Sequence, residues 1–414
     1  MTAALDLGGC RFCGTPLRES FVDLGMSPIS NAYPEAGDVR KPELFFPLHA
    51  FVCDECFLVQ LHEVQSPSDI FTEYAYFSSF SDSWLAHCKR FAATMVERFA
   101  LGPQSRVIEI ASNDGYLLQY FQQHGVPVLG VEPAKNVAAT AAAKGIPTLV
   151  EFFGTEQAQR MVAAGQRADL LVGNNVLAHV PDLNDFIEGL RTVLAPQGVL
   201  SMEFPHLARL VAGNQFDTIY HEHFSYLSLF TVKRAFAAHG LRVFDVEEHP
   251  THGGSLRVIA CLDGASHAQT GRVEALEARE LADGFGQIET YRSFATKVID
   301  TKCALLEFLI DARARGKRVV GYGAPAKGNT LLNYCGVRGD LIDYTVDRNP
   351  YKQGRLLPGT RIPIRAPEEI ARTKPDYVLI LPWNLRDEIV QSMAHVREWG
   401  GQFVVPIPRV EILR

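Results

Sequence analysis

Arg106–Gly115 reads RVIEIASNDG, and the rest of the chain is organised around it. Val107, Ile108 and Ile110 make a β-branched apolar run, the pattern of a short buried strand. Ala111-Ser112-Asn113-Asp114-Gly115 then turns, Tyr116–Gln123 has helical periodicity, and Pro127–Val131 is a second apolar strand ending in Glu132. An acid just past the second strand of such a unit sits where nucleotide-binding α/β folds hydrogen-bond a ribose. The phosphate pattern G-x-G-x-x-G is absent. Only Gly115 allows close backbone approach, while Glu109 adds a carboxylate to the first strand. This set serves a pyrophosphate poorly. It suits a ligand with an ammonium and ribose hydroxyls, and S-adenosylmethionine (SAM) has both.

The same alternation continues outward. Asn136–Ala143 reads as helix, Pro147–Val150 as a third strand leading to Glu151-Phe152-Phe153, and Asp169–Gly173 as a fourth. Ligands of open α/β sheets bind outside strand carboxyl ends, so Asn174, Asn175 and His179 are expected to face the cofactor. Asp182 and Asp185 open the next helix, and Pro196-Gln197-Gly198 is expected to break it before a fifth strand, Val199–Glu203. Upstream, Trp84, Phe91, Ala92, Met95 and Phe99 recur at helical steps through Trp84–Ala100, with Ser83 as the expected N-cap. Thr251–Val258 is a Gly-pair turn into a late strand, and Val273–Arg313 is long, charged and helical.

At 414 residues the chain calls for two or three domains. A net charge of −7 gives no electrostatic reason to expect nucleic acid or an anionic membrane as partner. No apolar run is long enough to span a bilayer and Met1–Gly9 lacks the plan of a signal peptide, so a cytoplasmic enzyme is the expectation. Cys10-Arg11-Phe12-Cys13 and Cys53-Asp54-Glu55-Cys56 are two C-x-x-C knuckles. Four thiolates leave no open coordination position, which describes a structural Zn²⁺ site. The Pro- and Phe-rich stretch between them offers a thin core for which a metal compensates.

From Gly316 a second α/β pattern begins. Lys317–Gly321 is a strand, Gly321-Tyr322-Gly323-Ala324-Pro325-Ala326 fits G-x-G-x-x-A, and Leu341–Val346 is the next strand, followed by Asp347. Tyr377–Leu381 and Phe403–Ile407 supply two more. Taken alone this is a dinucleotide pattern. Lys327 at the helix start equally suits the phosphates of a nucleotide sugar.

Tyr220-His221-Glu222-His223 packs four proton-transfer groups into one short stretch. The histidines do not share a helical face, so the stretch is a poor metal motif and a good acid–base cluster. Methylating an unactivated carbon requires a carbanion equivalent, which a base near neutrality generates only beside a carbonyl. The enolate oxygen then needs a donor, for which Tyr220, His179 and Tyr76 are candidates.

E-I-x-S-N-D-G at Glu109–Gly115, N-N-V-x-A-H-V at Asn174–Val180, Y-H-E-H at Tyr220–His223 and G-Y-G-A-P-A-K-G at Gly321–Gly328 together resemble the SAM-dependent nucleotide-sugar C-methyltransferases, which make branched deoxysugars. The resemblance covers nearly the whole chain. It implies an α/β protein with a small zinc-binding N-terminal module (1–68), a central seven-stranded SAM methyltransferase (Rossmann-like) domain with a cap segment (69–270), and a connecting helix with a C-terminal Rossmann-like domain (271–414). It implies methyl transfer to carbon 3 of a dTDP-4-keto-deoxysugar, with His223 as base and Tyr220, Glu222, His179 and Tyr76 around it. SAM then lies against Glu109, Ala111, Asn113, Gly115, Glu132, Pro133, Phe153 (with Phe152 as alternative), Asn174, Asn175, Ser78 and Ser79. The nucleotide sugar takes Tyr74, His221, Lys327, Asn329 and Asp347, and the zinc takes Cys10, Cys13, Cys53 and Cys56. The resemblance places the enzyme in antibiotic biosynthesis; a monomer is expected, with no nucleic-acid or membrane partner. Two other readings stand beside it: an NAD(P)-dependent nucleotide-sugar oxidoreductase using G-x-G-x-x-A, and a zinc-bearing binding module with an inactive fold. Intact Glu109, Gly115, Glu132 and Y-H-E-H argue against the last.

Overall fold

The computed structural model of the chain describes residues 8–38, 40–64, 78–80 and 82–413. These form two compact units. One gathers the described residues of Met1–Leu17 with Cys53–His206 and Phe224–Gly286; the other gathers Arg18–Val52, Leu207–His223 and Gln287–Arg414.

The first unit is built on seven strands: β1 (Val107–Ile110), β2 (Val128–Val131), β3 (Thr148–Leu149), β4 (Ala168–Asn174), β5 (Leu194–Pro205), β6 (Leu241–His249) and β7 (Ser255–Leu262). Their spatial order is β6-β7-β5-β4-β1-β2-β3. The first five are parallel, and β7 runs antiparallel between β5 and β6. β1 and β2 are buried along their whole length, which is why they read as continuous apolar runs rather than alternating ones. Strand order reverses between β1 and β4, the place where open α/β sheets bind ligands. This is the seven-stranded methyltransferase sheet expected from the sequence.

Helix Asp82–Arg98 lays Trp84, Phe91, Ala92 and Met95 into a core shared with Val107, Tyr116, Leu117 and Phe121. Burying each such large apolar side chain contributes about 1.5–3 kcal/mol. Two expectations need correcting. The helix starts at Asp82, so Ser83 lies inside its first turn and is no N-cap. Pro196-Gln197-Gly198 breaks no helix either: helix Leu183–Val193, capped where the Asp182 side chain accepts from Asp185 N, has already ended, and β5 begins at Leu194 with a register shift against β4.

The second unit has its own six-stranded sheet: β8 (Val319–Tyr322), β9 (Thr345–Val346), β10 (Ile364–Arg365), β11 (Tyr377–Ile380), β12 (Gln402–Val405) and β13 (Glu411–Leu413), in the order β10-β9-β8-β11-β12-β13. All pairings are parallel except that of β13 with β12. The strand expected over Leu341–Val346 is thus only its last two residues. Antiparallel strands Glu19–Ser27 and Phe46–Val52 belong to this unit as well. The helical stretch expected over Val273–Arg313 is three helices, Gly271–Ala282, Ile288–Arg292 and Phe294–Ala314. Among the described residues no helix is long and apolar enough to cross a membrane.

Candidate active site

The turn after β1 is wound tightly. Ala111 (φ 56°), Asn113 (φ 47°) and Gly115 (φ 74°) all take left-handed backbone. For the two non-glycine residues that conformation costs about 1–3 kcal/mol each, an expense that clusters at ligand sites. A Cβ at Gly115 would lie 2.8 Å from Ile146 Cγ1, so this position admits glycine alone. Glu132, past β2, is fixed by two backbone donors: Asn113 N to Oε2 at 3.0 Å and Ala134 N to Oε1 at 2.8 Å. Pro133 lies between these anchors. Each carboxylate oxygen keeps a second lone pair, so the acid can still accept two ribose hydroxyls. Burial raises its pKa, and the two backbone bonds oppose the rise.

The turn also leaves buried acceptors unpaired. Among the described residues, both Glu109 oxygens, Asp114 Oδ1, Asn174 Oδ1 and Asn175 Oδ1 have no hydrogen bond of normal geometry, although the Tyr116 hydroxyl interacts with Glu109. Glu109 on β1 and Asn174 at the end of β4 belong to adjacent strands. Burial pushes the Glu109 carboxyl well above its usual range, with the Tyr116 hydroxyl opposing and the Glu132 and Asp114 carboxylates reinforcing the rise. Unsatisfied buried acceptors cost about 1–3 kcal/mol each, so a ligand that brings an ammonium and hydroxyl donors fits this set. SAM is such a ligand. Ser78 and Ser79 join the turn: Ser78 N donates to Asn113 Oδ1 at 3.0 Å, and the Ser79 hydroxyl donates to Asp114 Oδ2. Lys144 Nζ reaches the same Asp114 oxygen at 3.1 Å. Asn175 (φ 54°) donates its backbone N–H to Glu203 O at 2.7 Å, and its amide nitrogen lies 3.4 Å from His252 Nε2. Phe153 packs edge-on against Phe186, whereas Phe152 is 47% exposed. Tyr74 and Tyr76 lie outside the described residues.

In the second unit, Tyr220–His223 is a buried turn whose hydrogen bonds define its chemistry. His223 Nδ1 donates to Thr218 O at 3.0 Å, and the Tyr220 ring lies 4.0 Å from the imidazole, centroid to centroid. In the neutral ring the proton is therefore on Nδ1 and the lone pair on Nε2. Both Glu222 oxygens accept from Asn31 Nδ2, at 2.8 and 3.0 Å; burial raises this acid's pKa and Asn31 opposes the rise. His221 Nε2 donates to Pro47 O at 3.2 Å, and burial lowers its pKa.

The loop after β8 has the glycine spacing of a dinucleotide site but spends most of its polar groups internally, Asn329 Oδ1 excepted. Asp347 Oδ2 accepts Ala324 N at 2.7 Å, and Asp347 Oδ1 accepts Asn349 N at 2.8 Å. Ala324 O takes the Tyr33 hydroxyl at 2.6 Å and Lys352 Nζ at 2.8 Å. Lys327 Nζ donates to Asn384 Oδ1 at 2.7 Å above the Trp383 ring, and burial draws its pKa down to about 8 against the pull of Asp217. Asn329 Nδ2 donates to Ser30 O at 2.7 Å. Asp347 is held by two backbone donors just as Glu132 is, so this acid by itself does not distinguish the two loops. The oxidoreductase reading has no support here.

In the first unit the sulfurs of Cys10, Cys13, Cys53 and Cys56 lie within 4.8 Å of one another. Zn–S bonds of about 2.3 Å place tetrahedral sulfurs roughly 3.8 Å apart, so the four fit one Zn²⁺. Both knuckles are wound alike: Gly14 N donates to Cys10 O and Phe57 N to Cys53 O, and Gly14 and Phe57 are both left-handed.

Several functional groups escaped sequence reasoning. Asn31 is 191 residues from the acid it holds, and only folding joins them. Asp114 was legible as part of N-D-G but read as a turn residue. His252, beside Asn175, carried no signal beyond its Gly-pair turn.

The sheet order and the acceptor-rich turn define a SAM-dependent methyltransferase, with a structural zinc module. Three family models cover the chain: "Putative zinc binding domain" over residues 10–71, "Methyltransferase domain" over 84–246 and "C-methyltransferase C-terminal domain" over 250–408. The C-methyltransferase NovU of Streptomyces niveus is 38% identical over 404 residues, 98% of this chain and 96% of that protein. The chain therefore belongs to the C-methyltransferase family. A ubiquinone biosynthesis O-methyltransferase of Bartonella tribocorum is 29% identical over 98 residues, 23% of this chain and 39% of that protein. A SAM-dependent methyltransferase structure from Clostridium acetobutylicum covers 44% of this chain and 92% of its own, at 10% identity and a TM-score of 0.35.

Proposed function

We propose that this chain methylates carbon 3 of a dTDP-4-keto-deoxysugar. SAM, when bound, supplies an electrophilic methyl group. A sugar carbon accepts it only after losing a proton, and the proton beside a ketone is the one an imidazole can remove. The observation that carries the reading is the tautomer of His223: Nδ1–H is committed to Thr218 O, which makes Nε2 the basic nitrogen. His223 Nε2 takes the C-3 proton, the freed electron pair moves into the C-3–C-4 bond, and negative charge develops on O-4. Tyr220 or His179 donates to O-4, with Tyr76 as a further donor. C-3 then forms its bond to the methyl carbon as the carbon–sulfur bond breaks. Glu132 holds the ribose hydroxyls of the cofactor and Glu109 its ammonium.

The nucleotide-sugar class rests on the four motifs and agrees with near full-length similarity to a C-methyltransferase. Tyr74, His221, Lys327, Asn329 and Asp347 are assigned to that substrate. The last four would exchange internal hydrogen bonds for ligand contacts. The test is mass spectrometry of reactions with SAM and a panel of dTDP-4-ketosugars. With sugars deuterated at C-3, a product in which a methyl group has replaced the C-3 deuterium is expected. A methyl on oxygen or nitrogen would overturn the reading.

A further inference from the structure

We propose that Arg11, inside the first zinc knuckle, is a positioning residue for the reaction, tying the metal module to the turn that carries His179. This rests on the role given to His179 above. Arg11 follows the zinc ligand Cys10 directly, and its side chain turns inward. Nη1 donates to Pro181 O at 2.5 Å, Nη2 donates to Leu61 O, and the guanidinium carbon lies 5.5 Å from the Phe224 ring centroid. Its own N–H is held by Gln60 Oε1 at 2.9 Å, and Gln60 Nε2 donates to Cys10 Sγ at 3.3 Å. Metal ligand, Gln60 and Arg11 are thus one connected group.

The far end of that group is the His179 turn. His179 closes the short helical turn Leu177–His179 after β4. The carbonyls on either side of it are pinned: Ala178 O accepts Phe224 N at 2.7 Å, and Pro181 O accepts Arg11. Asn184 Nδ2 adds a second tie, donating to Phe12 O at 2.9 Å. Phe224 is also the residue that follows His223 in the chain. One guanidinium therefore touches both the turn bearing His179 and the residue next to His223.

Its hydrogen-bond partners are two carbonyls and its ring contact is Phe224, with the charges of Cys10, Glu63 and Asp182 acting on it at longer range, so the part it plays in position is geometric. A rigid planar fork fixes two backbones at a set separation, which the point charge of a lysine does not do. Misplacing a catalytic group by 1 Å costs about 10²-fold in rate. The zinc, by fixing the knuckle, fixes where the fork starts.

The test uses full-length Arg11→Ala and Arg11→Lys protein. Zinc content, SAM affinity, kcat and KM are measured, together with the His179 imidazole signal in ¹⁵N-histidine NMR, assigned by loss of that signal in His179→Gln. Expected for Arg11→Ala are stoichiometric zinc, SAM affinity within about threefold, a kcat reduced about 10–100-fold and a displaced His179 signal, with no rescue by lysine. Full kcat in zinc-loaded Arg11→Ala, or an unmoved His179 signal, would overturn the proposal. If the alanine variant does not fold, Arg11→Lys is read by the same two criteria. A fully active His179→Gln would instead remove the role of His179 itself. A slow His179→Gln beside a fast Arg11→Ala would remove only the positioning role.

Discussion

Two strand–turn–helix loops share one pattern, Ala111–Gly115 after β1 and Gly321–Gly328 after β8, and they differ in what their polar groups do. After β1, Glu109, Asp114 and Asn174 keep buried acceptors unpaired among the described residues. After β8, Ala324 N, Ala324 O, Asp347 and Lys327 all hold partners within the protein, while Asn329 Oδ1, just past the loop, stays unpaired among the described residues. Glycine spacing favours the second loop as a nucleotide site, while hydrogen-bond accounting favours the first. Glycines permit close approach, but the unspent donors and acceptors determine whether a ligand is needed there.

The comparison breaks most readily at Glu132. Loss of a charge-assisted pair of ribose contacts should weaken SAM binding in Glu132→Ala by about 1.5–3 kcal/mol, roughly 10–150-fold, as read by calorimetry. Unchanged affinity would mean the first loop is not the cofactor site. Asp347→Ala should act the other way round. It leaves Ala324 N unpaired, so stability should drop by about 1–3 kcal/mol in denaturant melts, with SAM affinity unmoved. Any NAD(P)H binding by the wild-type protein would undo the contrast.

A smaller effect sharpens it through pH. The Glu109 carboxyl has a raised pKa in the folded protein without ligand, so it is protonated over a wider range than an ordinary acid. Its carboxylate form is the one that attracts an ammonium. SAM affinity should therefore climb as pH rises through that raised pKa, by at most about tenfold per pH unit, and flatten in Glu109→Gln. A slope that survives Glu109→Gln would assign the titration elsewhere.

The sheet was readable because its central strands are buried on both faces and so are written as apolar runs: VIEI in β1 and LLV within β4. The turn was readable because N-D-G and the acid after β2 are local signals. Element ends were less so. Asp82, Leu194 and Thr345 begin their elements where packing rather than local propensity decides. What could not be read were pairings made only by folding: Arg11 with Pro181 is 170 residues apart, and Asp217 with Trp383 is 166. No periodicity encodes such contacts. The G-x-G-x-x-A pattern was the converse case, a strong local signal whose meaning depended on Tyr33 and Lys352, neither of them in the motif.

The central claim is that His223 generates the sugar nucleophile, and proton exchange tests it most directly. With S-adenosylhomocysteine in place of SAM, the wild-type enzyme should wash solvent deuterium into C-3 of a dTDP-4-ketosugar. His223→Ala should do so about 10²–10⁴-fold more slowly while still binding cofactor and sugar. Exchange in His223→Ala as fast as in wild type would contradict the account and move the base to His221 or His179.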